Sequence, residues 1–153
     1  MAPVTGAAGK VGFMLPGQFT KTTNSGAADT VLYTNTVPGN LLTNTGDAIR
    51  FEWQVRGDGG ASAVHTVRLN GADIKNYATD SSCFLSVEIT RISLTNALYF
   101  VQVIDSSSTT VDPSLWHQYV TFGANWGVSL TAAGTTTGNA VLHSTKAYFL
   151  PAP

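Results

Sequence analysis

Ile49-Arg50-Phe51-Glu52-Trp53-Gln54-Val55-Arg56 puts an apolar side chain at every odd position and a polar or charged one at every even position. That period of two marks a strand with one face buried and the other facing solvent or a partner. The apolar phase (Ile49, Phe51, Trp53, Val55) is the predicted core face, and Arg50, Glu52, Gln54 and Arg56 are predicted to point outward.

Working outward, the same kind of segment recurs to the C-terminus. Strands are predicted at Val31–Thr34, Ala48–Arg56, Ala63–Leu69, Ile74–Tyr77, Phe84–Leu94, Ala97–Ile104, Trp116–Phe122, Trp126–Ala132 and Asn139–Leu150. They are separated by turn chemistry: Pro38-Gly39-Asn40, Asn44-Thr45-Gly46-Asp47, the loop from Gly57 to Gly60, and Asn70-Gly71. Asn-Gly between two short strands is the strongest local hairpin signal in the chain. There is no amphipathic helical stretch, no internal repeat and no heptad run. Closely spaced strands with regular turns predict an all-β sandwich or barrel. Leu98–Ile104 is apolar on both phases, with Leu98, Phe100 and Ile104 opposite Tyr99, Val101 and Val103. One face belongs in the core, and the other lies against a neighbouring surface, within the chain or on another subunit.

Only 11% of the 153 residues are charged, against about 25% in an ordinary soluble domain. A β-domain of this composition covers its outside with Thr, Ser, Asn and Gly, or with copies of itself. The formal net charge is −1, so no basic surface is available for nucleic acid. No apolar run approaches the ~20 residues of a membrane-spanning helix. Met1-Ala2-Pro3-Val4 carries neither the basic nor the apolar region of a secretory signal.

Residues 1–29 read as an N-terminal arm or first edge strand, and residues 30–153 as one sandwich domain. The arm is rich in Gly, Ala, Thr and Ser, with one apolar island at Val11-Gly12-Phe13-Met14-Leu15-Pro16, which holds the trio Phe13, Met14 and Leu15 and where Pro16 ends any regular strand. Two readings stand side by side: the trio docks on a partner, or it is the first strand of the sandwich.

Residues that would carry chemistry are scattered. Cys83 is the sole cysteine, which rules out an intrachain disulfide and reads as a buried thiol. His65, His117 and His143 fall on separate strands, without the short spacing of a zinc motif. Asp105 and Asp112 bracket one loop but lack the carboxylate density of a calcium loop. The glycines at 57, 59 and 60 have no following Lys and no helix to cradle a phosphate. No catalytic, metal or cofactor site is therefore expected, and the chain is not expected to be an enzyme. Trp116 and Trp126 lie near strand ends, where an aromatic ring either packs inward or offers a stacking platform for a sugar.

Leu32-Tyr33-Thr34-Asn35-Thr36-Val37-Pro38-Gly39-Asn40-Leu41-Leu42, then Asn44-Thr45-Gly46-Asp47 and the strand Ile49–Val55, resembles the opening of trimeric jelly-roll domains in bacteriophage virion proteins. Leu130-Thr131-Ala132 and Thr137-Gly138-Asn139-Ala140-Val141 are similar to the close of the same domains, so the resemblance covers roughly residues 30–150. It implies a single jelly-roll β-sandwich that forms a homotrimer. Its implied role is a capsid cement, or decoration, protein that binds the major capsid protein and stabilises the assembled head. The implied location is the capsid surface of the virion, after synthesis in the host bacterial cytoplasm. On this reading Phe13, Met14 and Leu15 dock on the capsid. The alternative within the same resemblance is a head or tail fibre domain that binds a receptor glycan through Trp116 or Trp126. The lack of a repetitive shaft favours cement. A secreted trimeric jelly roll of the tumour-necrosis or complement type is disfavoured by the missing signal.

Overall fold

The computed structural model describes residues 29–57, 63–78, 82–105, 121–134 and 140–153 in full, and the strand backbone of 3–5, 11–15, 22–23, 79, 109–112 and 118–119. In chain order the strands are β1 (Pro3–Thr5), β2 (Val11–Leu15), β3 (Thr22–Thr23), β4 (Thr30–Val37), β5 (Ala48–Gly57), β6 (Ala63–Leu69) and β7 (Ala72–Thr79). They continue with β8 (Ser82–Arg91), β9 (Asn96–Asp105), β10 (Thr109–Asp112), β11 (Gln118–Tyr119), β12 (Trp126–Ala133) and β13 (Ala140–Leu150). No helix occurs among the described residues, as the period-two pattern predicts.

The strands form two antiparallel sheets packed as a sandwich. The larger runs β1-β2-β13-β5-β8-β9-β10, with β3 added on β13 and β11 on β9; the smaller runs β4-β12-β6-β7. Taking β2, β4, β5, β6, β7, β8, β12 and β13 in order as eight strands, the sheets read 1-8-3-6 and 2-7-4-5. That is the jelly-roll order, with β9–β11 inserted between the sixth and seventh strands.

The alternation of β5 is realised in full. Ile49, Phe51 and Trp53 are completely buried and Val55 nearly so, while Arg50, Gln54 and Arg56 are exposed. Phe51 stacks on Trp53 with ring centroids 5.9 Å apart, and Tyr33 of the facing sheet meets Trp53 edge-on at 6.0 Å. β8, β9 and β12 add Leu85, Val87, Ile89, Tyr99, Val101, Val103, Val128 and Leu130 to the same core.

The hairpin of β6 and β7 turns on Asn70 (φ 48°) and Gly71 (φ 82°). Positive φ at both positions is what a two-residue primed turn requires. Asn70 also docks the turn on β12, donating its N–H to the Gly127 carbonyl and accepting the Gly127 N–H on Oδ1.

Several sequence expectations are corrected. The strand predicted to run to Leu94 stops at Arg91, because Ile92–Thr95 bends to bring Ser93 N–H onto the Asn96 carbonyl. Of the strand predicted at Trp116–Phe122, Gln118–Tyr119 forms β11 and Thr121–Phe122 is not strand; 116, 117 and 120 lie outside the described residues. Phe122 instead enters the core from a turn, its N–H bonded to the Leu94 carbonyl and its ring meeting Trp126 edge-on. β2, which carries Phe13, Met14 and Leu15, is paired through its backbone with β13, Phe13 lying opposite Phe149. The side chains of that trio lie outside the described residues.

Candidate functional site

The register of the larger sheet arranges its outer face as a grid. One row across β13, β5, β8 and β9 is Tyr148, Arg50, Glu88 and Phe100. The next is Lys146, Glu52, Ser86 and Gln102; the third is Ser144, Gln54, Phe84 and Ile104. Each row follows from β5's alternation, because antiparallel pairing keeps opposed residues on one face.

In the first row the Arg50 guanidinium donates to Glu88 Oε2 through Nε at 3.0 Å and Nη2 at 2.6 Å. The pair lies partly open to solvent, so it orders the face more than it stabilises the fold. The Tyr148 hydroxyl of the first row reaches across to hydrogen-bond Glu52 of the second. Its pKa is raised, first by burial and then by the Glu52 charge and that bond.

The third row is shaped by a β-bulge. Leu142 opposes Val55 and Ser144 opposes Gln54, which leaves His143 as an extra residue with no ladder partner on β5. A bulge resets the alternation, so His143 and Ser144 both face outward between buried Leu142 and Thr145. Ser144 Oγ donates to Gln54 Oε1 at 2.9 Å. Beside them a groove of about 370 Å³ is lined by Gln54, Ser82, Phe84, Ile104 and His143, with Val55 and Cys83 at its floor. A smaller cleft of about 60 Å³ adjoins it, lined by Glu52, Gln54, Phe84, Ser144 and Lys146. Gln54 and Phe84 belong to both, so the two form one shallow trough across β13, β5, β8 and β9.

The trough offers binding groups rather than reactive ones. Burial, reinforced by the Asp105 charge, pushes the Cys83 thiol up to about 12, far from the range of a thiolate nucleophile. Asp105 accepts the Tyr77 hydroxyl, and no group of three or more metal-ligating side chains occurs among the described residues. An aromatic ring flanked by an amide, hydroxyls and an imidazole instead suits a ligand with an apolar face and a polar rim.

Of the residues singled out in the sequence, only His143 and Cys83 fall in this site. Of the two readings of Trp126, packing inward is the one the fold realises: it is 2% exposed and meets Phe122 edge-on at 5.9 Å. A platform needs an open ring face, and here the inward phase of β12 claims the ring. Trp116 and His117 lie outside the described residues, as does the side chain of Asp112. His65 is buried in the core with neither ring nitrogen bonded, and His143 alone of the described histidines reaches the trough. Phe84 is the residue the sequence reading missed, and His143 was read there only as one of three histidines on separate strands. Phe84 had a usable signal, an aromatic on the outward phase between Ser82 and Ser86; the bulge that exposes His143 had none.

No protein-family model and no curated protein matches this chain. Among solved structures the chain is similar to the CBM2 module of the evolved Dit of Lactobacillus casei BL23 phage J-1, at 9% identity and a TM-score of 0.35. The alignment covers 83% of this chain and 74% of that one. Similarity at this level does not extend to function.

Proposed function

We propose that this chain is a carbohydrate-binding domain of a bacteriophage virion, carried on a head or tail fibre and used to recognise a receptor. The observation that carries the reading is the trough around Phe84, with Gln54, Ser82, Ser144 and His143 on its rim. A pyranose has one apolar face for an aromatic ring and a belt of hydroxyls for amides and hydroxyls, so its chemistry fits these groups. The virion assignment rests on the resemblance of Leu32–Asp47 and of the closing strands, together with low charge. The domain acts by binding, without bond chemistry or cofactor. As a homotrimer it would multiply a weak single-site affinity through effective concentration. A bacterial glycan array tests it: wild-type protein binds a defined subset, and Phe84→Ala, a half-buried outer-face change, weakens that binding at least about tenfold, a loss of ~1.4 kcal/mol. Absence of glycan binding, or an unaffected Phe84→Ala, overturns it.

A second reading, a trimeric capsid cement, is supported by apolar side chains left open on β9 and in the loop that precedes it. Phe100 is 39% exposed, Ile104 37%, Leu94 56% and Ile92 38%. Burial of such side chains on a capsid or a second copy is worth about 25 cal/mol per Å² before ordering costs. Light scattering for the trimer and co-sedimentation with empty capsids test it. Because β2 pairs into the sheet, docking through Phe13, Met14 and Leu15 is tested by polar substitution there; truncation would remove a strand.

A further inference from the structure

Resting on the saccharide reading above, we infer that the glycan held in the trough is acidic, with a carboxylate or phosphate seated among Gln54, His143 and Lys146. The direction of the hydrogen bonds carries this. Ser144 gives its proton to Gln54 Oε1, which uses the amide oxygen and leaves the amide N–H₂ as the outward group. Lys146 is exposed and makes no ion pair among the described residues. The His143 ring, set outward by the bulge, has no bonded partner there either and adds a donor three residues before Lys146 on β13.

The remaining charges of the face are already engaged. Arg50 is paired with Glu88, and Glu52 takes the Tyr148 hydroxyl; Arg56, one row beyond, also has a partner. Among the described residues Glu52 is the one carboxylate lining the trough, and it sits opposite Lys146 at the cleft end. What stays open between Gln54, His143 and Lys146 is a set of donors in excess of acceptors. Neutral sugar hydroxyls both donate and accept, so they satisfy such a set poorly. A carboxylate or phosphate accepts only, and charge-assisted bonds to Lys are the stronger kind.

The test uses the full chain and matched probes. Galacturonate oligosaccharides are compared with their methyl esters, which keep the skeleton and remove the charge; a sugar-phosphate polymer is compared with its dephosphorylated form. These pairs are placed on an array of bacterial surface glycans with acidic and neutral members. Expected are hits confined to acidic members, with the uronate and phosphate arms identifying which anion is read. Lys146→Gln and His143→Ala should each weaken those hits at least tenfold, while Thr36→Ala on the other sheet leaves them unchanged. Equal binding to neutral counterparts, or an unaltered Lys146→Gln, overturns the acidic assignment while leaving the saccharide reading intact. No binding to any member sinks both.

Discussion

The carboxylate of Asp47 accepts the backbone N–H of Ala152 at 2.9 Å, tying the loop before β5 to the C-terminal tail. Its other oxygen accepts the N–H groups of Thr43 at 2.9 Å and Asn44 at 2.7 Å. The Asp47 carbonyl takes the Arg91 N–H, and Gly46 N–H returns to the Arg91 carbonyl. Gly46 sits at φ +93° with Ala152 Cβ 3.0 Å from where a side chain would start. Asn44-Thr45-Gly46-Asp47 is thus a clasp holding β4–β5, the end of β8 and the tail together.

Asp47→Ala should therefore destabilise the domain by about 3 kcal/mol, since it strands three buried or half-buried N–H donors. Asp47→Asn, which keeps an acceptor, should cost less. Burial alone would raise the Asp47 pKa, but the N–H groups of Ala152, Asn44 and Thr43 outweigh it and hold the carboxyl below its usual range. A depressed carboxyl contributes stability above its unfolded pKa and loses it as pH falls through the folded one. The Asp47 contribution should thus fade below about pH 4. Chemical denaturation of both variants across pH 2–7 checks this; an Asp47→Ala cost that persists undiminished at pH 2 would refute the clasp.

His65 gives a separate acid limb at higher pH. Burial with no bonded partner lowers its pKa from 6.5 to about 4. The unfolded chain therefore binds a proton that the folded one refuses. Stability from the neutral ring is full above about pH 6.5 and lost as pH falls toward 4, on the order of 3 kcal/mol in all. His65→Leu removes two desolvated nitrogens at similar volume. It should match or exceed wild type at pH 7 and clearly exceed it at pH 5. A pH dependence between 4 and 6.5 that survives in His65→Leu would assign that limb to other groups.

Trp53 and Glu52 test the phase of β5. Trp53 is fully buried against Phe51 and Tyr33, so Trp53→Ala should cost about 3–5 kcal/mol. Glu52→Ala removes an outer-face carboxylate whose partner is a hydroxyl, and should shift stability by ~0.5 kcal/mol or less. Comparable losses in urea denaturation would mean that both faces of the strand are buried by assembly.

The core was legible wherever alternation was clean: β5, the Asn70-Gly71 hairpin and the buried thiol all follow from residue type at adjacent positions. What was not legible depends on chain segments far apart. Whether Trp126 faces in or out is set by its pairing with Val37 and by Phe122 arriving from a turn, which no local pattern records. The bulge at His143 inserts one residue into an otherwise regular run, and Leu142-His143-Ser144-Thr145 shows the slip only once Gln54 and Val55 are known to lie opposite. Asn44–Asp47 stood out in the sequence as a mark of resemblance. Its physical role, four hydrogen bonds gathered on Asp47, needed the tail to be brought beside it.

Cys83 supplies a readout that links the clasp to the whole fold. The thiol is 6% exposed on the groove floor, and with its pKa pushed up to about 12 by burial and then by Asp105 it holds almost no thiolate at pH 8. Maleimide should therefore modify the native protein only through opening of the β5–β8–β9 region. When reclosing outpaces modification, the rate follows the population of the open form. If that opening is global, Asp47→Ala should accelerate labelling about a hundredfold, the equivalent of ~3 kcal/mol. His65→Leu at pH 8, where the imidazole is neutral in both states, should not accelerate it. Labelling of the wild type at the rate of a free thiol would place Cys83 in solvent and remove the floor of the groove; an Asp47→Ala rate equal to wild type would show that this sheet opens independently of the clasp.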